Sequence, residues 1–225
     1  MTGPWVSGWA KARTAVLALV AVIALTALEL ARQPGTRSWQ SMWAEDGTVY
    51  GTDAFALSLP STILRGYAGY VQVVPRVLAL AVPAVPVTRV AAVFAFEASL
   101  VTALLAVSVY RCSEGWIDHR GLRTVVAAMT ALVPIAYLET STNIANLGWP
   151  LLVASGWALV SRRDQLVDTV LRIVVVVATA LSTTLAALFW PAAVAVAVRR
   201  RQRRDWAVFA ALSVGLGLQF VLDRF

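Results

Sequence analysis

The chain has 225 residues, 59% of them hydrophobic, with a formal charge of +7 and a mean hydropathy of +0.73. That is far more apolar sequence than a soluble domain of this size buries, which excludes an ordinary water-soluble fold and points to a polytopic membrane protein. The 19 basic residues cluster in short turns between apolar runs, as the positive-inside rule predicts, so the charge implies no nucleic-acid partner.

One cysteine, Cys112, and one histidine, His119, share a single turn. They exclude a disulfide framework and a Cys/His metal site. The Ala/Val/Leu/Arg bias, with Lys11 as the only lysine, has the look of a GC-rich bacterial genome.

In chain order, Lys11 and Arg13 precede the apolar run 15–28, which leaves through Glu29-Leu30-Ala31-Arg32-Gln33-Pro34 without a small-x-small cleavage site. This predicts an uncleaved first helix, about 14–31, with the N-terminus cytoplasmic. A long extracytoplasmic segment, 32–88, follows. Helix 2, about 89–110, returns to the arginine-bearing turn 111–123. Helix 3, about 122–138, leads out to a loop at 139–148 that has no basic residue, and helix 4, about 147–160, comes back to Arg162-Arg163.

Residues 166–198 have arginines at both ends, which favours a short hairpin turning near Ser182-Thr183-Thr184 over one long helix kinked at Pro191. Each arm would hold only about 15 residues, fewer than a full span needs. A last helix covers about 206–222, and its Gly215-x-Gly217 face would suit another helix. The expected fold is therefore all-α. It is a single membrane domain over 1–225, a polytopic helical bundle of about seven membrane-embedded segments with a long outer loop bearing interfacial helices after helix 1. The nine tryptophans fall near the ends of these helices or in adjoining loops, at headgroup level.

The outer segment concentrates chemistry-bearing residues. Glu45 and Asp46 lie between Trp43 and Gly47, near a membrane exit where partial desolvation raises a carboxylate's proton affinity and suits it to act as a base. Asp46-Gly47 reads equally as a plain turn. Residues 77–87 are apolar but carry Pro83 and Pro86, too short to cross and suited to an interfacial or re-entrant helix. Pro75 could open that helix, leaving Arg76 near the membrane plane. There its guanidinium could grip a phosphate or snorkel to headgroups.

In the second outer loop, Glu139, Asn143, Asn146 and Trp149 crowd together. Amides and indoles suit sugar hydroxyls and ring faces, and serve equally as helix caps and interface anchors. Two further acids, Glu97 in helix 2 and Glu29 near the outer end of helix 1, fall within spans. Glu97 could pair with an arginine such as Arg172 or line a cavity.

Trp43-Ala44-Glu45-Asp46-Gly47, Gly69-Tyr70, Pro75-Arg76 and the run 143–149, set in this topology, resemble the bacterial GT-C glycosyltransferases, of which the chain would be a truncated or short member. The resemblance implies transfer of a sugar from a polyprenyl-phosphate donor on the outer face of the bacterial plasma membrane. In that setting Asp46 would be the base, with Glu45 supporting it or helping to hold a divalent cation. Arg76, with Arg65 second, would hold the lipid phosphate. Tyr70, Asn143, Asn146 and Trp149 would shape the sugar or acceptor pocket. A different class also fits the residues. Glu97 in mid-membrane and half-length hairpin arms suit a transporter, flippase or assembly subunit of glycan export, with a membrane partner subunit.

Overall fold

The computed structural model describes residues 4–32, 37–132 and 142–222, with side chains from Ala12 onward. Helix α1 (Pro4–Arg32) runs unbroken because no proline interrupts it after its first residue. The segment after residue 36 folds into short pieces. A π-helical turn over Asp46–Gly51 runs into α2 (Thr52–Ala56), followed by α3 (Leu59–Leu64). A two-residue hairpin, β1 (Gly66–Tyr67) and β2 (Tyr70–Val71), comes next, and then α4 (Val73–Ala79) with single 3-10 turns at Val82–Ala84 and Val87–Arg89. The interfacial helix expected over 77–87 thus begins and ends earlier. Pro83 and Pro86 confine the rest to 3-10 turns by removing the amide donors an α-helix needs.

Among the described residues, six further α-helices follow: α5 (Val90–Cys112), α6 (Arg120–Leu132), α7 (Gly148–Val160), α8 (Leu166–Ala180), α9 (Trp190–Arg200) and α10 (Arg203–Leu222). The expected outer end of helix 3, with Glu139, lies outside the described residues. Pro191 does not kink a long helix. It sits in the first turn of α9, where its missing N–H costs nothing.

Hydrogen bonds sort the helix ends into two groups. At one end, Arg111 and Arg163 both hold Asp168, Arg163 also holds Glu114, and Arg172 pairs with Asp205 at 2.6 Å. Arg200, at the close of α9, donates to the carbonyls of Ser161 and Val160 at 2.7 and 2.8 Å, so the chain returns to the end from which α8 departs. At the opposite end, the amides of Val73 and Val74 reach Leu181 O and Ser182 Oγ, each at 3.0 Å, and Gln219 donates to Val71 O at 2.8 Å. Arg32, closing α1, pairs with Glu29 and donates to Ala131 O at 2.6 Å. The arginine-bearing turns therefore gather at one end of the bundle, and the segment between α1 and α5 caps the other.

Among the described residues, three helical segments are long and apolar enough to cross a membrane: Ala12–Arg32, Val87–Cys112 and Arg203–Leu222. The described lengths of α6, α7, α8 and α9 are 13, 13, 15 and 11 residues. Each falls short of the roughly 20 residues that cover a hydrocarbon core, so length does not establish seven spans. Leu17, Leu19 and Ile23 of α1 are 58–60% exposed, an apolar face that water would disfavour and lipid would not.

The interior is built on small side chains. Ala98, Ala106, Ala154, Ala158, Ala180 and Ala197 are all buried, which lets helix backbones approach closely. Gly215 belongs to this packing. A Cβ there would stand 2.7 Å from the Ala180 Cβ of α8, so this glycine's face is covered from within the chain, whereas Gly217 faces open space.

Candidate functional site

At the end capped by the outer segment lies a cavity of about 470 Å³. The acidic pair sits beside it, but its two members part company. Glu45 lines the cavity and is half-buried. Asp46 is 1% exposed and is not part of the lining. Its two carboxylate oxygens accept from the backbone amides of Ala145 at 3.0 Å and Ile144 at 3.3 Å. These amides lie nearly a hundred residues along the chain, where a 3-10 turn (Ala145–Leu147) leads into α7. Burial pushes the Asp46 carboxyl up to about 7, against the pull of those two amides and with a smaller upward push from Glu45.

Asp46 thus ties the first outer segment to the second, and the cavity forms along that seam. Asn143, Ala145 and Asn146 line it from the α7 side, and Tyr67, Ala68 and Tyr70 from the hairpin. The hairpin's shape follows from its turn. Ala68 and Gly69 have φ of 55° and 84°, both positive, as a two-residue turn matched to strand twist requires. Tyr67 and Tyr70 are directly paired across it, so both side chains leave on the same face. Tyr50, one turn beyond Asp46 in the π-helical segment, meets Tyr67 edge-on at 6.2 Å and donates its hydroxyl to Gln72 Oε1. Trp43 completes the aromatic lining, and its buried indole N–H has no partner among the described residues.

The two arginines proposed from sequence lie apart from this cavity. Arg76 is fully buried, ion-paired to Asp53 and stacked 5.1 Å over the Tyr50 ring; its Nε and Nη2 find no partner among the described residues. Arg65 holds the other Asp53 oxygen at 3.0 Å, with its side chain 56% exposed. Trp149 is also 56% exposed and does not line the cavity.

Of the residues singled out from sequence, the fold therefore gathers Glu45, Tyr70, Asn143 and Asn146 around one cavity, with Asp46 in its supporting wall. Sequence reasoning passed over Trp43, Tyr50, Tyr67 and Gln72 as site residues, and over Asp53 as the shared counter-charge. The spacing of Asp46 and Tyr50, four residues apart, was the available signal for one shared face.

A divalent cation does not fit the acidic pair as folded. Both Asp46 oxygens face amide hydrogens, which leaves Glu45 alone, and no cluster of three or more His, Cys, Asp or Glu occurs among the described residues.

Glu97 stands elsewhere. It lines a second, largely apolar cavity of about 530 Å³ between α5 and the segment around Leu78 and Val85, with Arg89 also in the lining. One of its oxygens is buried without a partner among the described residues. The arginine considered as its mate, Arg172, is held by Asp205 and the Ala158 carbonyl instead.

Comparison with known protein families, with curated proteins and with solved structures gives no match. What stands is a helical protein with, among its described residues, three helices long and apolar enough to cross a membrane and a polar, aromatic-lined cavity at one end of the bundle.

Proposed function

We propose that the protein is a GT-C-like membrane glycosyltransferase that takes a sugar from a polyprenyl-phosphate donor on the extracytoplasmic face of a bacterial plasma membrane, with its N-terminus in the cytoplasm. The observation that carries this reading is the cavity opposite the arginine-bearing end, where a carboxylate, two asparagines and tyrosine rings meet. Tyrosine and tryptophan faces stack on sugar C–H surfaces, and amides bond hydroxyls, at little entropic cost to rigid side chains.

In this reading Glu45 is the base, because it is the acid that reaches the cavity. The acceptor hydroxyl oxygen attacks the anomeric carbon and its proton passes to Glu45. The bond from that carbon to the phosphate oxygen breaks, and the lipid phosphate leaves with the electron pair. Asp46 acts through position, fixing the turn that carries Asn143 and Asn146. Arg65, the exposed member of the Asp53 pair, is the basic group at hand for the leaving phosphate. Arg76, buried against Tyr50, supports it through their shared carboxylate.

The test is sugar transfer in proteoliposomes supplied with a mixed polyprenyl-phosphate-sugar pool. Wild type is expected to transfer, Glu45→Gln to lose about 10²–10⁴-fold in rate as removal of a general base does, and Glu97→Gln to remain near wild type. A second reading, transport or flipping of a lipid-linked glycan, draws on Glu97 in its apolar cavity. It predicts the reverse order of sensitivity, with lipid translocation lost in Glu97→Gln.

A further inference from the structure

We infer that the cavity at the outer end is a subsite for an uncharged sugar ring that rejects anions, so that the phosphate of any lipid-linked ligand stays outside it. The inference rests on the transferase reading for the identity of the ring, and on the lining itself for the charge rule.

Among the described residues the lining holds no lysine, arginine or histidine, and Glu45 is its one formal charge. Of the segments outside the described residues, 33–36 and 133–141 contain none of these basic types, and 223–225 contains Arg224. Of the nearby cations, Arg76 is sealed from solvent and already engaged by Asp53, and Arg65 binds the same carboxylate. An anion entering the cavity would meet an unopposed carboxylate in a partly desolvated setting, where repulsion between like charges is much stronger than in water. It would also have to leave water without a cation to receive it.

A neutral polyol meets the opposite situation. Tyr67 and Tyr70 bring hydroxyls to the lining, and Asn143 and Asn146 contribute uncharged polar side chains to it. Glu45 accepts from hydroxyl donors, which a sugar ring supplies and a phosphodiester does not. Tyr67 and Tyr70, set side by side by the hairpin register, provide ring faces for the apolar side of a pyranose or furanose.

The test uses the full chain in lipid nanodiscs and ligand-observed NMR with neutral methyl glycosides, each beside its uronate counterpart of the same ring, and with inorganic phosphate as competitor. At least one neutral glycoside is expected to bind, its uronate to bind about tenfold or more weakly, and phosphate not to compete. Glu45→Gln, which keeps shape and removes charge, is expected to close the gap between glycoside and uronate. Tyr67→Ala is expected to weaken the neutral ligand, with the thermal midpoint of each variant confirming that it folds.

Equal binding of uronate and glycoside, displacement by phosphate, an unchanged gap in Glu45→Gln, or no glycoside bound would each overturn the inference. Charge-selective glycoside binding without transfer in proteoliposomes would sink the transferase reading and leave the charge rule standing. Transfer of acidic and neutral sugars at equal rates would do the reverse.

Discussion

Glu45 and Asp46 are neighbours in sequence and end in different surroundings, one bordering a cavity and the other sealed against two amides. The difference makes their substitutions separable. Asp46→Ala leaves the Ile144 and Ala145 amides without their acceptor, a loss of about 1–3 kcal/mol per unsatisfied buried group. Its effect should register in thermal stability. Glu45→Gln should leave the thermal midpoint close to wild type and act on turnover.

Asp46 also sets a pH dependence. Its carboxyl titrates at about 7 in the fold against 3.8 ordinarily, because burial outweighs the two amide bonds. Between those values the folded chain binds more protons than the unfolded chain, so stability falls as pH rises through this window and levels above it. The thermal midpoint of wild type should therefore drop between about pH 5 and about pH 8 by more than that of Asp46→Asn. Equal slopes in the two proteins would mean that Asp46 is charged throughout.

Among the elements, the hairpin and α10 give the sharpest contrasts. Ala68 holds φ of 55° in the turn, a conformation that costs a residue with a Cβ about 1 kcal/mol or more and costs glycine little. Ala68→Gly should raise stability slightly if the turn is unstrained by its loss of methyl contact with the cavity, and Ala68→Val should lower it. Along α10, Gly215→Ala would drive a methyl to 2.7 Å from the Ala180 Cβ, whereas Gly217→Ala meets nothing within 4 Å. The first should cost about 1–3 kcal/mol through overpacking and the second almost nothing, measured by the thermal midpoint in detergent. The two positions looked alike in sequence as a small-residue pair. What separates them is that α8 crosses one and not the other.

For the whole molecule, the two ends of the bundle differ in chemistry. One is locked by ion pairs among Arg111, Glu114, Arg163, Asp168, Arg172 and Asp205; the other carries the cavity. Arg172 and Asp205 are both buried, so removing one partner strands a charge. Arg172→Met is expected to cost about 3–5 kcal/mol, and Arg172→Met with Asp205→Leu to recover much of it. Cysteines placed one at a time at Ala68 and Gln202, in a Cys112→Ser background, should react with a membrane-impermeant thiol reagent from opposite sides of the membrane. Labelling of both from one side would overturn the proposed topology.

The sequence by itself determined the helical character and the apolar runs, because composition and Gly/Pro punctuation act locally on each segment. Arginine placement in the turns, a local property too, gave the expectation that those turns share one end of the bundle. The same local reading named Glu45, Asp46, Asn143 and Asn146, and the family resemblance added Tyr70. It could not separate the acids, since being buried or open depends on the amides of residues 144 and 145 rather than on any neighbour. Nor could it tell that Asp53 would claim both Arg65 and Arg76, or that Arg172 would choose Asp205 over Glu97. Pairings between distant residues are settled by which helices pack together, and that packing is a property of the whole chain. Only the tertiary structure decided which carboxylate faces the cavity and which holds its wall.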